Sequence, residues 1–204
     1  MTTNLILARD ASVPPPILAI PTECTLHRVT DVSDEGFPLL DQVYADDGFP
    51  RDWATNMLAR GAIAVVILVD RVPAGSALII RKPCYVQEIR RTFDAGPEGD
   101  YYFGDFVLPA FRGRQIQRML IRARLHISHQ AGRRWAMAGT RASIPASLAN
   151  YSLEGFCIAS KLHARQFAGW QWEHHEVIDP TLPSGRLSRK GVALPGSHNL
   201  RRIP

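Results

Sequence analysis

Val107-Leu108-Pro109-Ala110-Phe111-Arg112-Gly113-Arg114-Gln115-Ile116-Gln117-Arg118 joins two runs of different period. Before it, Tyr101 to Leu108 is aromatic and β-branched and reads as a strand. After it, Ile116, Met119, Leu120, Ala123 and Ile127 recur on one helical face, and Gly132 is placed to stop the helix. A strand that feeds directly into a helix leaves unpaired backbone N–H groups at the joint, with the positive end of the helix dipole behind them. Such a joint binds anions, phosphate above all. Arg112, Arg114 and Arg118 crowd it, so a phosphate-bearing ligand is the expectation.

Upstream, Thr25 to Val29 suits a strand, and Asp34 to Ala45 and Arg51 to Arg60 suit two short helices. Ile63 to Asp70 is a buried strand, Arg71-Val72-Pro73-Ala74-Gly75 has turn chemistry, and Ser76 to Arg81 returns as the second arm of a hairpin. Tyr85 to Arg91 fits no one period, and Ala95-Gly96-Pro97-Glu98-Gly99 breaks the chain. Downstream, Trp135 to Gly139 is a short strand, and Ser143 with Pro145 opens a helix that Gly155 closes. Phe156 to Leu162 and Trp170 to Ile178 close the domain as paired strands. The order is mixed α/β around a central sheet. Residues 1–22, with Pro14-Pro15-Pro16 and Pro21, read as an extended N-terminal arm, residues 23–180 as one folded domain, and 181–204 as a basic, poorly ordered C-terminal tail.

Charge is divided along the chain. Residues 1–50 carry two basic against eight acidic side chains, whereas 101–204 carry fifteen against five, so the overall excess of +5 belongs to the back half. That half attracts anionic partners. Nucleic acid is not favoured, because no helix-turn-helix signature, zinc-finger spacing or RNP-like aromatic motif accompanies the charge. Cys24, Cys84 and Cys157 are odd in number and outside any C-x-x-C arrangement, which points to neither a disulfide framework nor a metal site and suits a reducing cytoplasm. No basic run precedes a long apolar segment near the N-terminus, so no secretory signal is read there. The longest apolar run, Ala62 to Val69, is too short to span a bilayer.

With this order of elements the chain resembles the GNAT superfamily of acyl-CoA-dependent N-acetyltransferases, over roughly Thr25 to Ile178. Two motifs carry the likeness. Val107-x-Pro109-x-Phe111-Arg112-Gly113-Arg114-Gln115-Ile116-Gln117 is similar to the family's V-x-P-x-[YF]-R-G-x-G-[IV]-[GA] pyrophosphate loop. Ile144 to Phe156, with Ser147, Tyr151 and Gly155, is similar to its N-x-x-S-x-x-x-Y-x-x-x-G-F helix.

The resemblance implies a central mixed, mostly antiparallel sheet with helices on both faces and a splayed strand pair for acetyl-CoA or another acyl-CoA, without a metal. Backbone groups of Phe106, Val107 and Leu108 would meet the pantetheine amides. The turn of Arg112, Gly113, Arg114, Gln115, Ile116 and Gln117 would hold the pyrophosphate, and Ser147 would approach the pantetheine arm. Tyr151 matches the family tyrosine that protonates the departing thiolate. For a general base, Asp105 shares a strand face with Val107 and Glu88 lies in the preceding segment; many family members need none. The acceptor implied is a small-molecule or peptide primary amine, and the acidic front half, with Asp34, Glu35, Asp41, Asp46 and Asp47, suits a cationic one. Exposed closing strands of this fold often pair between subunits, so a homodimer is expected.

Three positions depart from the pattern. Gln115 and Gln117 replace glycine or alanine where a bare backbone lets phosphate approach, and Ile144 replaces asparagine. Two further readings follow from these: a catalytically inactive GNAT-fold binding or regulatory protein, and an acyltransferase whose donor is an acyl carrier protein docked on the basic half. Simpler roles stand beside the sharp ones. Arg118, Arg122 and Arg124 suit the solvated side of a helix, Tyr151 a packed aromatic, and Phe111 and Phe156 the core. His126 and His129, at i and i+3 with no third ligand, suit a solvated pair. His174 and His175 point to opposite strand faces, Trp170 and Trp172 to the same one, and Cys157 suits packing in a buried strand.

Overall fold

The computed structural model describes residues 2–46, 48–50, 52–86, 91–167 and 170–188; over 165–167 and 170–173 it describes the backbone alone. Eleven strands and four helices follow in the order β1 (Thr2–Asp10), β2 (Cys24–Val29), α1 (Phe37–Asp46), α2 (Trp53–Ala59), β3 (Ile63–Val69), β4 (Val72–Ile80), β5 (Cys84–Val86), β6 (Arg91–Asp94), β7 (Gly99–Val107), α3 (Ile116–Gln130), β8 (Trp135–Arg141), α4 (Pro145–Leu153), β9 (Cys157–Phe167), β10 (Trp170–Val177) and β11 (Arg186–Leu187), with a 3₁₀ turn at Pro109–Phe111. Eight strands form one sheet in the order β10-β9-β1-β8-β7-β4-β3-β2, and β11-β6-β5 form a small second sheet. Every pairing in the large sheet is antiparallel except that of β7 with β8.

Both faces of the sheet are covered, which explains why its inner strands read as unbroken apolar runs. In β3, Val65, Ile67 and Val69 pack on Ile116, Leu120 and Ala123 of α3, while Ala64, Val66 and Leu68 pack on Leu40, Val43, Ala54 and Met57 of α1 and α2. The buried charge of Asp100 is neutralised, whereas Asn4 Nδ2, Ser76 Oγ and Ser160 Oγ are buried without a hydrogen-bond partner among the described residues. Asp100 is fully buried; it accepts from Arg81 Nε at 3.0 Å and Ser128 Oγ at 2.7 Å, and pairs in charge with Arg133, whose Nε lies 3.0 Å away.

The first ten residues correct the sequence reading most sharply. Thr2–Asp10 is no arm: β1 lies inside the sheet, antiparallel to β8 on one side and β9 on the other. Leu5 and Leu7 enter the core under α3 and α4, whereas Ile6 and Ala8 enter the one under the small sheet. A strand buried on both faces shows no alternation, and five residues of it beside a proline cluster mimic a leader. The connection from Ala11 to Glu23 then crosses α3. His126 Nε2 contacts the Pro16 carbonyl at 3.1 Å and His129 Nδ1 the Ala11 carbonyl at 3.0 Å, so these histidines tie down the connection instead of forming a solvated pair.

Smaller corrections have local causes. The β3–β4 turn is Asp70-Arg71, both left-handed at φ 51° and 67°, the geometry of a two-residue hairpin; Pro73 and Gly75 already belong to β4, where a bulge opposite Ile67 and Leu68 accommodates the proline. Ser143 caps nothing: α4 starts after Ile144 with no side-chain cap. Cys157 is exposed rather than packed. Part of the expected tail, Arg186–Leu187, pairs with β6, and residues 189–204 lie outside the described residues.

Candidate functional site

β7 and β8 run side by side only as far as Tyr102 opposite Ala138. Beyond that point Gly139, Thr140 and Arg141 of β8 stay with β1, while Phe103 to Val107 of β7 stay with β4. The two parallel strands therefore diverge. A bulge sharpens the divergence: Leu78 faces Phe103 and Ser76 faces Phe106, so β7 fits one extra residue where Gly104 adopts φ 62°. The crevice so formed ends at the start of α3, and α4 reaches it through Tyr151, whose hydroxyl meets Asp105.

The register decides which backbone groups face the opening. Leu108 N–H donates to the Ala74 carbonyl at 2.9 Å, which directs Leu108 and Phe106 toward β4 and Val107 toward the opposite edge. Of the three residues named from the sequence, Val107 thus carries the N–H and C=O turned to the crevice. Its carbonyl lies 3.4 Å from Arg112 Nε.

In the turn, Gly113 has φ 81° and Gln115 φ 60°, so Gln115 holds the left-handed conformation that glycine adopts at no steric cost. Ile116 is buried and anchors the turn to the sheet. The three arginines divide. Arg112 and Arg114 are exposed, and Arg114 sits 5.7 Å from the Phe111 ring centre. Arg118 instead donates to the buried Glu154 at 2.8 Å, as Arg122 does, and also to Gln115 Oε1 at 3.1 Å. Arg118 and Arg122 are structural clasps between α3 and α4, not a solvated fringe.

Inside the crevice Asp105, on the β7 bulge, is faced by three side chains, which hydrogen-bond to its Oδ2. Arg124 reaches Oδ1 at 2.6 Å and Oδ2 at 2.9 Å, Tyr151 O–H donates to Oδ2 at 2.7 Å, and Gln117 Nε2 lies 3.4 Å from the same oxygen. Arg124 is fully buried and also touches Tyr151 Oη at 3.2 Å and the Leu78 carbonyl at 3.3 Å. Burial is the largest single effect and works against its charge, but Asp105, together with smaller contributions from Tyr151 and Tyr102, outweighs burial and moves the Arg124 pKa up. Burial pushes the Tyr151 hydroxyl well above the usual phenol range, Arg124 opposes that, and Asp105 adds to it. Tyr151 is a neutral donor at physiological pH. Gln117 completes the group, with Nε2 3.2 Å from Ser147 Oγ and Oε1 accepting from Asn150 Nδ2 at 2.7 Å.

Asp105, Gln117, Ser147 and Tyr151, four positions named from the sequence, therefore meet in one network, and Glu88 lies outside the described residues. Sequence reasoning missed Arg124, Asn150 and Glu154. Arg124 had a signal: it falls on the apolar stripe of α3, four residues after Leu120 and three after Ile121, where an arginine needs a buried partner. Among the described residues no group of three or more His, Cys, Asp or Glu side chains is arranged to hold a metal ion.

No protein-family model and no curated protein sequence matches the chain. Solved structures do match in shape. A GCN5-related N-acetyltransferase from Sphaerobacter thermophilus superposes with a TM-score of 0.59 at 13% identity, covering 88% of this chain and 52% of its own. A tandem GNAT protein from the clavulanic acid biosynthesis pathway gives 0.55 at 14%, covering 78% and 50%, so the chain spans about half the length of these two. An aminoglycoside N-acetyltransferase in complex with CoA gives 0.52 at 20%, covering 68% of this chain and 92% of its own. With its diverging β7 and β8, the bulge at Gly104 and the turn into α3, the chain has the GNAT fold.

Proposed function

We propose that the protein is an N-acyltransferase that moves an acetyl or related acyl group from coenzyme A to a primary amine by direct attack. The observation that carries this reading is the divergence of β7 from β8 beyond Tyr102 and Ala138, which turns the Val107 backbone toward a crevice ending at the α3 turn. The residues fit the donor: Val107 offers an N–H to pantetheine, Arg112 and Arg114 are exposed beside the turn, and the first N–H groups of α3 suit pyrophosphate. The aminoglycoside enzyme in complex with CoA is similar in fold and lends the same support.

In this reading the amine nitrogen forms a bond to the thioester carbon, the carbon–sulfur bond breaks, the amine loses a proton and the sulfur gains one. Asp105 is the wrong base for that proton. Its Oδ2 already accepts from both Arg124 and Tyr151, its charge is paired with Arg124, and protonating it would leave Arg124 buried without its counter-charge. We assign it instead to orienting Tyr151, and the amine gives its proton to water. Tyr151 is neutral and its one hydroxyl proton is directed at Asp105 Oδ2, so in this reading the hydroxyl turns from Asp105 to protonate the leaving sulfur and regains a proton from water afterwards. Among acidic residues of the front half, Asp34 is occupied by accepting from the Thr30 and Asp31 N–H groups, which leaves Glu35, Asp41 and Asp46 to favour a cationic acceptor. Asp47 lies outside the described residues. We place the protein in a reducing cytoplasm, in keeping with three free cysteines, and read β10, at the sheet edge, as the surface of a homodimer.

Calorimetric titration with acetyl-CoA tests the reading. Saturable binding that weakens at least tenfold in Arg112→Ala is the expected result. Absence of binding by the folded protein overturns it, and carrier-protein donors and a non-catalytic role would then be pursued.

A further inference from the structure

Gln117 occupies a position at which the sequence pattern calls for a small residue, and its side chain is extended rather than folded away. From the first turn of α3 it reaches Asp105 on the β7 bulge and both Ser147 and Asn150 on α4. Its carboxamide thus joins the two walls of the crevice at the end nearest the phosphate turn. The other glutamine behaves differently: Gln115 is exposed and its amide oxygen is held by Arg118 on the outer surface.

We propose that Gln117 is a latch across the donor crevice, and that an acyl-CoA enters by displacing this side chain from Ser147 and Asn150; the proposal rests on the acyl-CoA reading above. The exchange is chemically matched. The carboxamide presents one N–H donor to Ser147 and one carbonyl acceptor to Asn150, and each pantetheine amide offers the same pair of groups. The arm therefore replaces what it removes, so neither Ser147 nor Asn150 is left unpaired. The latch reduces apparent donor affinity in proportion to the fraction of molecules in which it is closed. A crevice open about one-tenth of the time binds about tenfold more weakly than one held open.

The test combines calorimetry with acetyl-CoA on the wild-type protein, Gln117→Ala and Asn150→Ala, with NMR of the full chain. Gln117→Ala binds about tenfold more tightly than wild type, and Asn150→Ala, which removes the 2.7 Å contact alone, gains a smaller factor in the same direction. In the wild-type protein the Gln117 carboxamide protons show cross-relaxation to Ser147 and Asn150, and acetyl-CoA abolishes it. Equal or weaker binding by a folded Gln117→Ala protein overturns the latch and leaves the acyl-CoA reading intact. Missing cross-relaxation before ligand is added overturns the latch as well. Failure of wild type and both variants to bind acetyl-CoA overturns the underlying reading.

Discussion

Replacing Arg124 by methionine tests whether the Asp105–Arg124 pair is the electrostatic centre of the fold. Arg124 is fully buried, Asp105 keeps 14% of its side chain exposed, and their two contacts measure 2.6 and 2.9 Å. Methionine fills much of the same volume, so the loss comes from a carboxylate left with Tyr151 and Gln117 as its donors, and from a Leu78 carbonyl deprived of its partner. Stranding one member of a buried pair costs about 3–5 kcal/mol. For a chain of this size each kcal/mol moves the melting temperature by about 2–4 °C, so Arg124→Met melts about 10 °C below wild type. Urea unfolding and calorimetry measure it. Because the penalty is the unpaired charge, adding Asp105→Asn to Arg124→Met restores about 2 kcal/mol, even though a further native group is removed. A single variant within about 1 kcal/mol of wild type, or a double variant no more stable than the single, refutes the reasoning.

Three further outcomes follow from separate parts of the structure. Gln115→Gly relieves a left-handed side chain and raises stability by about 0.5 kcal/mol, the strain of about 1 kcal/mol being partly offset by glycine's freedom in the unfolded chain; urea unfolding showing a loss would mean that the Arg118 contact outweighs the strain. Burial raises the pKa of both Tyr102 and Tyr151, so above pH 10 the unfolded chain loses protons that the native one keeps. Stability must then fall with rising pH, by about 1.4 kcal/mol per pH unit for each tyrosine, and Tyr151→Phe removes one tyrosine's share of the slope; an unchanged slope refutes the assignment. Deleting residues 1–11 removes β1 from between β8 and β9 and yields no soluble folded protein, whereas a soluble, cooperatively unfolding product would show that the segment is dispensable.

Legibility followed whether a feature was written locally. The hairpin of β3 and β4, the helix from Ile116 and the strand before it could be read because each carries its own period and punctuation. The glutamines and Ser147 could be singled out because the loop and helix motifs mark their positions. What could not be read depends on long-range pairing. β1 belongs to the sheet through partners more than 120 residues away, and nothing within Asn4 to Ala8 distinguishes a strand covered on both faces from a short apolar leader. Arg118 and Arg122 look solvated until Glu154, at the far end of another helix, is seen to receive both.

The same distinction explains why the site was only half visible. Asp105 and Tyr151 were each nominated separately, one as a base and one as an acid, because each type can do that chemistry alone. Together, with Arg124 between α3 and the sheet, they cannot hold those two roles independently: the tyrosine's proton is committed to the carboxylate, and the carboxylate's charge is committed to the arginine. A proton taken by Asp105 would release Tyr151 and strand Arg124 at once. In the proposed reaction this leaves Asp105 a positional role, and Tyr151 becomes a donor to the leaving sulfur only once its hydroxyl turns from the carboxylate. Replacing Asp105 by asparagine should then misorient the tyrosine and change the rate at all pH values alike, rather than shift the acid limb of a pH profile as loss of a base would.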